Sequence, residues 1–206
     1  MSKLEAVSIT KSFGDNTILQ DVSLRLEPRE IVCLLGVSGG GKTTLFNVLS
    51  GLTLPDRGQV FLDGREITGK AGHISYMLQK DLLMPYRTVL DNIALPLIIK
   101  GAPKKEARRK ALEHFAEFGL SGTEKQYPAQ LSGGMRQRAA LLRTYLCSEG
   151  AALLDEPFSA LDPMTRRTLQ QEMKSLQQRL NKTILFVTHD MEEALELNRA
   201  FFSMNI

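Results

Sequence analysis

Ile31-Val32-Cys33-Leu34-Leu35-Gly36-Val37-Ser38-Gly39-Gly40-Gly41-Lys42-Thr43 is the stretch whose reading decides the fold. The unbroken apolar run Ile31–Leu35 has the pattern of a strand buried on both faces. Residues 36–43 then fit G-x-x-x-x-G-K-[ST] without mismatch. In such a loop the backbone N–H groups of Gly36, Val37, Ser38, Gly39, Gly40 and Gly41 converge on phosphate oxygens. The helix that follows adds its N-terminal dipole. Lys42 is placed for the β- and γ-phosphates, and the Thr43 hydroxyl for Mg2+. A glycine-rich turn alone would be unspecific; a buried strand before it and a helical pattern over Thr44–Leu49 supply the context that a phosphate loop requires.

Outward from this point the chain alternates strands and helices. Leu4–Thr10 alternates in part. Val22, Leu24 and Leu26 alternate with polar residues, as a half-buried strand does. Gly58–Asp63 and His73–Leu78 read as short strands, as do Ala151–Leu154 and Thr183–Thr188. Residues 85–148 are instead dominated by helical patterns, over Val89–Ile99, Lys104–Phe118 and Gly134–Cys147, and Met164–Leu180 is a polar-faced helix. Strands alternating with crossover helices imply an α/β fold with a mainly parallel sheet.

The bulk numbers narrow the function classes. A chain of 206 residues with 43% hydrophobic and 24% charged residues is an ordinary globular composition. The net charge of +3 argues only weakly for nucleic acid or an anionic membrane. Lys104, Lys105, Arg108, Arg109 and Lys110 cluster on one helix and read as a solvated face. Cys33 and Cys147 lie in apolar surroundings without metal-like spacing. No signal peptide is legible, and no run approaches the roughly 20 apolar residues of a membrane span.

Two further motifs carry chemistry. Ala151-Ala152-Leu153-Leu154-Asp155-Glu156 is an apolar strand ending in two acids, at the strand end where ligands gather in a parallel sheet. Asp155 could hold Mg2+, and Glu156 could polarise the attacking water. Leu131-Ser132-Gly133-Gly134 opens an apolar helix. Ser132 is a natural N-cap, while the two glycines weaken a helix start and permit close approach of a phosphate. Three single residues complete the candidates. His189 follows a strand and is suited to contact a terminal phosphate; Gln79 also follows a strand and could reach the metal or the water; Phe13 could stack on an adenine.

Together these residues resemble the ATP-binding subunit of an ABC transporter across nearly the whole chain. The likeness rests on the phosphate loop, Gln79, Leu131-Ser132-Gly133-Gly134, Asp155-Glu156, Ser159-Ala160-Leu161-Asp162 and His189. It implies one ABC ATPase domain over 1–206. A P-loop core lobe with an N-terminal antiparallel β part would take residues 1–84 and 149–206, and a helical signature subdomain residues 85–148. It implies ATP and Mg2+ as cofactors, with Thr44 and Asp162 joining the nucleotide contacts and Thr43, Gln79 and Asp155 the metal. Glu156, Gln79 and His189 would be catalytic. It further implies a second ATPase subunit, paired head to tail so that each ATP lies between one phosphate loop and the other chain's Ser132-Gly133-Gly134. Further partners would be transmembrane permease subunits and, indirectly, a periplasmic or lipoprotein substrate-binding protein, at the cytoplasmic face of the membrane and without nucleic acid. Leu82–Asn92 together with Met135 is similar to the nitrate/sulfonate/taurine branch of bacterial importers, and importers for thiamine precursors look alike. The family usually continues beyond where this chain ends, which implies a shortened C-terminus. Against a GTPase, Asn181-Lys182-Thr183-Ile184 lacks the acid that guanine recognition requires. Soluble relatives in DNA repair or translation carry two ATP modules or a long coiled coil. A non-hydrolysing nucleotide-binding regulator is disfavoured by Glu156.

Overall fold

A computed structural model of the chain describes residues 3–36, 39–147, 150–158, 161–168, 170–171, 183–188 and 201–203. Two sheets organise it. Strands β1 (Leu4–Phe13), β2 (Asn16–Leu26), β4 (Arg57–Leu62) and β5 (Arg65–Glu66) form an antiparallel sheet in the order β2-β1-β4-β5. Strands β3 (Ile31–Leu35), β6 (Ser75–Met77), β7 (Ala151–Asp155), β8 (Thr183–Val187) and β9 (Phe201–Ser203) form a parallel sheet in the order β6-β7-β8-β3-β9.

The apolar runs are continuous because the parallel sheet is covered on both sides. Ile31 and Cys33 of β3, Leu154 of β7 and Ile184 and Phe186 of β8 join one apolar cluster. The alternate residues Val32, Leu34, Leu153, Leu185 and Val187 join a second one. The first cluster packs under helices α2 (Val89–Ile99), α3 (Lys104–Leu112) and α4 (Gly133–Cys147). The second packs under α1 (Lys42–Leu49) and the antiparallel sheet. A period of two thus sorts each strand between two cores, as pleated geometry demands.

Three elements depart from the sequence expectation. The helix anticipated over Lys104–Phe118 ends at Leu112. Beyond it the amides of His114 and Phe115 bond to Ala111 and Leu112 three residues back, so the helix tightens into turns. Phe115 and Phe118 still reach the core, so the apolar spacing gave no sign of the stop. Helix α4 begins at Gly133, one residue earlier than the pattern implied. Strand β9 has no counterpart in the sequence reading; it pairs in parallel with β3, with Cys33 opposite Phe201. Of the helix anticipated over Met164–Leu180, residues 163–168 and 170–171 are helical and the rest lies outside the described residues. Among the described residues no helix is long and apolar enough to cross a membrane.

Candidate active site

The C-terminal ends of β3 and β7 open on one cavity of about 290 Å3. It is lined by Ile18, Gly39, Gly41, Lys42, Thr43, Thr44, Gln79, Asp155 and Glu156. That is close to the lower end, about 300 Å3, of small-molecule sites. Gly41 shows why the loop needs glycine. Its φ is +74°, and a Cβ would sit 3.0 Å from the carbonyl oxygen of Ile18 and from Leu19 Cδ2. Only glycine lets the loop press against β2 while turning into α1. Gly41 caps α1 without any side-chain hydrogen bond to the first-turn amides. That end of the helix suits an anion.

Lys42 is buried and donates from Nζ to the carbonyl oxygen of Gly36 at 2.7 Å. A cation folded back on its own loop is held where phosphate oxygens could replace the carbonyl. Thr43 Oγ1 stands 3.5 Å from Asp155 Oδ2. Burial, reinforced by the neighbouring Glu156 charge, pushes the Asp155 carboxyl above its ordinary value, while Thr43 and Lys42 pull the other way. A buried carboxylate beside an exposed hydroxyl at the cavity fits Mg2+, which takes oxygen ligands and completes its shell with phosphates and water. Among the described residues no three His, Cys, Asp or Glu side chains gather into a metal-binding group. A site relying on one hydroxyl and one carboxylate of the protein is consistent with that. Tyr76 packs edge-to-face on Phe46 at 5.7 Å; burial and then the Asp155 charge push its phenol upward from its ordinary value.

Glu156 has φ of 49°, in the left-handed region rarely used by residues other than glycine. Its amide donates to Val187 O of β8 at 3.1 Å, and its carbonyl accepts from Gln137 Nε2 at 3.3 Å. Its carboxylate accepts from Gln79 Nε2 at 2.8 Å. The backbone twist turns this side chain into the cavity that Asp155, on the same strand end, also borders.

Other candidates sit elsewhere. Phe13 ends β1 before a two-residue hairpin turn; it is exposed, with Lys11 Nζ 5.4 Å from its ring centroid, and does not line the cavity. Ser132 caps α4: its Oγ accepts from Met135 N at 3.2 Å and its carbonyl from Arg136 N at 3.0 Å. Ser132 and Gly133 are exposed, Gly134 half-buried, and none of the three lines the cavity. Asp162 likewise caps the helical segment 163–168, its Oδ1 accepting from Thr165 N at 3.0 Å, and it does not line the cavity. Val37, Ser38 and His189 lie outside the described residues. The sequence reading had no place for Ile18, Tyr76 or Gln137. Of these only Gln137 left a signal, as an amide within the otherwise apolar stripe of α4.

Comparison with known proteins agrees with this geometry. Residues 19–159 match the ABC transporter family. The formylaminopyrimidine import ATP-binding protein ThiZ of Halalkalibacterium halodurans is 44% identical over 198 residues, which cover 96% of this chain and 77% of that protein. The sulfate/thiosulfate import ATP-binding protein CysA 1 of Rhizobium meliloti is also 44% identical, over 197 residues, 92% of this chain and 57% of that protein. Among solved structures, a dimeric post-hydrolysis ATP-binding cassette bound to ADP and Pi superposes with a TM-score of 0.85. It is 31% identical, and the match covers 94% of this chain and 90% of that one. A phosphate loop and paired acids on one cavity, in a fold matched along nearly its whole length, lead to one conclusion: the chain belongs to the ABC transporter family, as an ATP-binding cassette that hydrolyses ATP.

Proposed function

We propose that this chain is the ATP-hydrolysing subunit of an ABC importer for a small nutrient. It works as a pair with a second ATPase subunit, on permease subunits fed by a substrate-binding protein, at the cytoplasmic face of the membrane. The observation that carries the reading is that the two helix starts suited to an anion lie apart. Lys42, Thr43, Asp155 and Glu156 share one cavity, while the exposed amide-bearing helix start at Ser132-Gly133-Gly134 lies outside it. A half-site of this kind is completed by a second copy presenting Ser132-Gly133-Gly134 to the phosphates. The importer assignment draws on the relatives, each named as an import ATP-binding protein.

In this reading Lys42 exchanges the Gly36 carbonyl for the β- and γ-phosphates, and the α1 amides hold the remaining oxygens. Thr43 and Asp155 hold Mg2+, with Gln79 at the edge of that site; the ion, when bound, neutralises charge developing on the phosphates. Glu156 takes the proton of the attacking water and Gln79 orients the carboxylate that does so. His189 serves the γ-phosphate, Phe13 stacks on the base, and Thr44 and Asp162 complete the nucleotide contacts.

The substrate is read more finely from Leu82–Asn92 and Met135, whose likeness favours a nitrate-, sulfonate- or taurine-like compound. Relatives named for an organic pyrimidine and for an inorganic anion are equally identical to this chain. Substrate identity therefore follows the permease and binding protein rather than the cassette, and the genes beside this one are the place to read it.

Glu156→Gln tests the catalytic assignment. It should retain ATP binding while slowing steady-state turnover by two or more orders of magnitude, roughly the 10²–10⁴-fold typical of general-base loss. Hydrolysis at the wild-type rate would remove Glu156 from this role.

A further inference from the structure

Helix α4 turns one stripe of residues inward: Gln137, Ala140, Leu141 and Thr144 are all buried. Three of them fit an ordinary helix-to-sheet contact, since Thr144 returns its hydroxyl to the Ala140 carbonyl at 3.0 Å within its own helix. Gln137 does not. It is 4% exposed, and a buried primary amide costs free energy unless it is hydrogen-bonded. Leucine or methionine at this position would fill the same space without that cost.

The Gln137 amide reaches across to β7, where Nε2 donates to the carbonyl oxygen of Glu156 at 3.3 Å. The peptide it grips is the one with a left-handed φ of 49° at a residue that has a Cβ. Such a conformation persists only where the surroundings over-determine it. The surroundings include a backbone bond to β8, the Gln79 amide on the carboxylate, and Gln137. Among the described residues Gln137 contacts it from the helical side, about one turn beyond Ser132 on the same helix.

We propose that Gln137 is a positioning residue for hydrolysis, holding the Glu156 peptide so that its carboxylate is aimed into the phosphate cavity. Because Gln137 and Ser132 ride on one helix, the aim of Glu156 is tied to the placement of the helix start that meets the partner's nucleotide. A chain whose α4 is not seated would keep its phosphate loop and lose the alignment of its base. The inference rests on Glu156 acting as the base.

The test is ATP hydrolysis by Gln137→Met in two backgrounds, with steady-state and single-turnover rates measured on the full chain. In the otherwise native protein kcat should fall roughly 10- to 100-fold, the scale of a misplacement of about 1 Å, with KM for ATP changed far less. In the Glu156→Gln background the same substitution should produce no further fall, because the residue acts through Glu156. An unchanged kcat in the native background, or an equal fall in both backgrounds, would overturn the proposal; the second outcome is what a purely structural role gives. If Glu156→Gln alone hydrolyses ATP at the wild-type rate, the base assignment fails and this inference with it. Slow Glu156→Gln beside a fully active Gln137→Met sinks the positioning role alone. Should Gln137→Met fail to fold, Gln137→Asn keeps the amide, draws it back by one methylene and carries the same comparison.

Discussion

At the scale of single residues the site is a balance of charge held out of water. Asp155 is buried at a strand end beside another carboxylate, and its pKa is raised in consequence. A raised value means that the folded chain binds the proton more tightly than the unfolded one. Above the folded value both states are ionised and the fold carries the whole penalty; as the pH falls below the ordinary carboxylate range the penalty vanishes. Asp155→Asn should therefore raise the melting temperature of the nucleotide-free protein near neutral pH by a few degrees. Each kcal/mol corresponds to roughly 2–4 °C for a chain of this size. The gain should shrink on acidification, and Mg2+-dependent nucleotide binding should be lost with it. Calorimetry with and without Mg2+ and ATP reads both, and an unaltered melting temperature would show that burial of the charge costs the fold nothing.

The residue scale is also where the sequence was most and least legible. Lys42, Thr43, Asp155 and Glu156 stood in motifs whose spacing needs a strand end on one side and a helix start on the other, and the structure brings all four to one cavity. The left-handed backbone of Glu156 and the reach of Gln137 are long-range facts. Gln137 and Glu156 are 19 residues apart, and no local pattern joins them.

Elements are fixed by polar clamps as much as by apolar faces. Asn92 of α2 is fully buried; its Nδ2 donates to the carbonyls of Met84, Arg87 and Thr88 at 3.0, 3.1 and 3.1 Å, and its Oδ1 accepts from Met84 N at 2.7 Å. One amide therefore shapes the loop between β6 and α2 while Thr88 caps the helix through Asp91 N. Two arginines of α4 hold the preceding turn. Arg136 Nε donates to Asp81 Oδ2 at 3.2 Å, and Arg143 donates to the carbonyls of Asp81 and Leu82 at 2.7 and 2.9 Å. Asn92→Ala strands several backbone groups at once and should lower the unfolding free energy by about 2–3 kcal/mol in denaturant titrations. A loss under about 0.5 kcal/mol would mean that the loop holds its shape without the amide. The basic cluster on α3 is a solvated face, as its pattern implied: Arg108 makes a two-bond contact with Asp91, Arg109 pairs with Glu113, and Lys110 with Glu106 at 3.0 Å. Helix and strand identities followed from periodicity, because each element buries one face or two. The stop at Leu112 and the strand at Phe201–Ser203 did not. The first is decided by backbone bonds under an uninterrupted apolar spacing, and the second by an open edge of β3 that only the assembled sheet reveals.

In the proposed reading the whole molecule presents half of a reaction site. The parallel sheet, sandwiched between two apolar clusters, carries Lys42, Thr43 and the paired acids at its strand ends, while α4 carries Ser132-Gly133-Gly134 at its exposed start. Among the described residues, nothing of that helix start lines the chain's own cavity. In that reading ATP bridges two copies, and binding it favours their closure because the phosphates satisfy amides of both. The measurement that tests this most directly is the mass of the Glu156→Gln protein in solution, by light scattering, at saturating ATP. A chain of 22.9 kDa should move to twice that mass with nucleotide and return to monomer when Ser132→Arg is added, with ATP still bound to each monomer. A Glu156→Gln protein that binds ATP and stays monomeric, or a dimer indifferent to Ser132→Arg, would contradict the shared site.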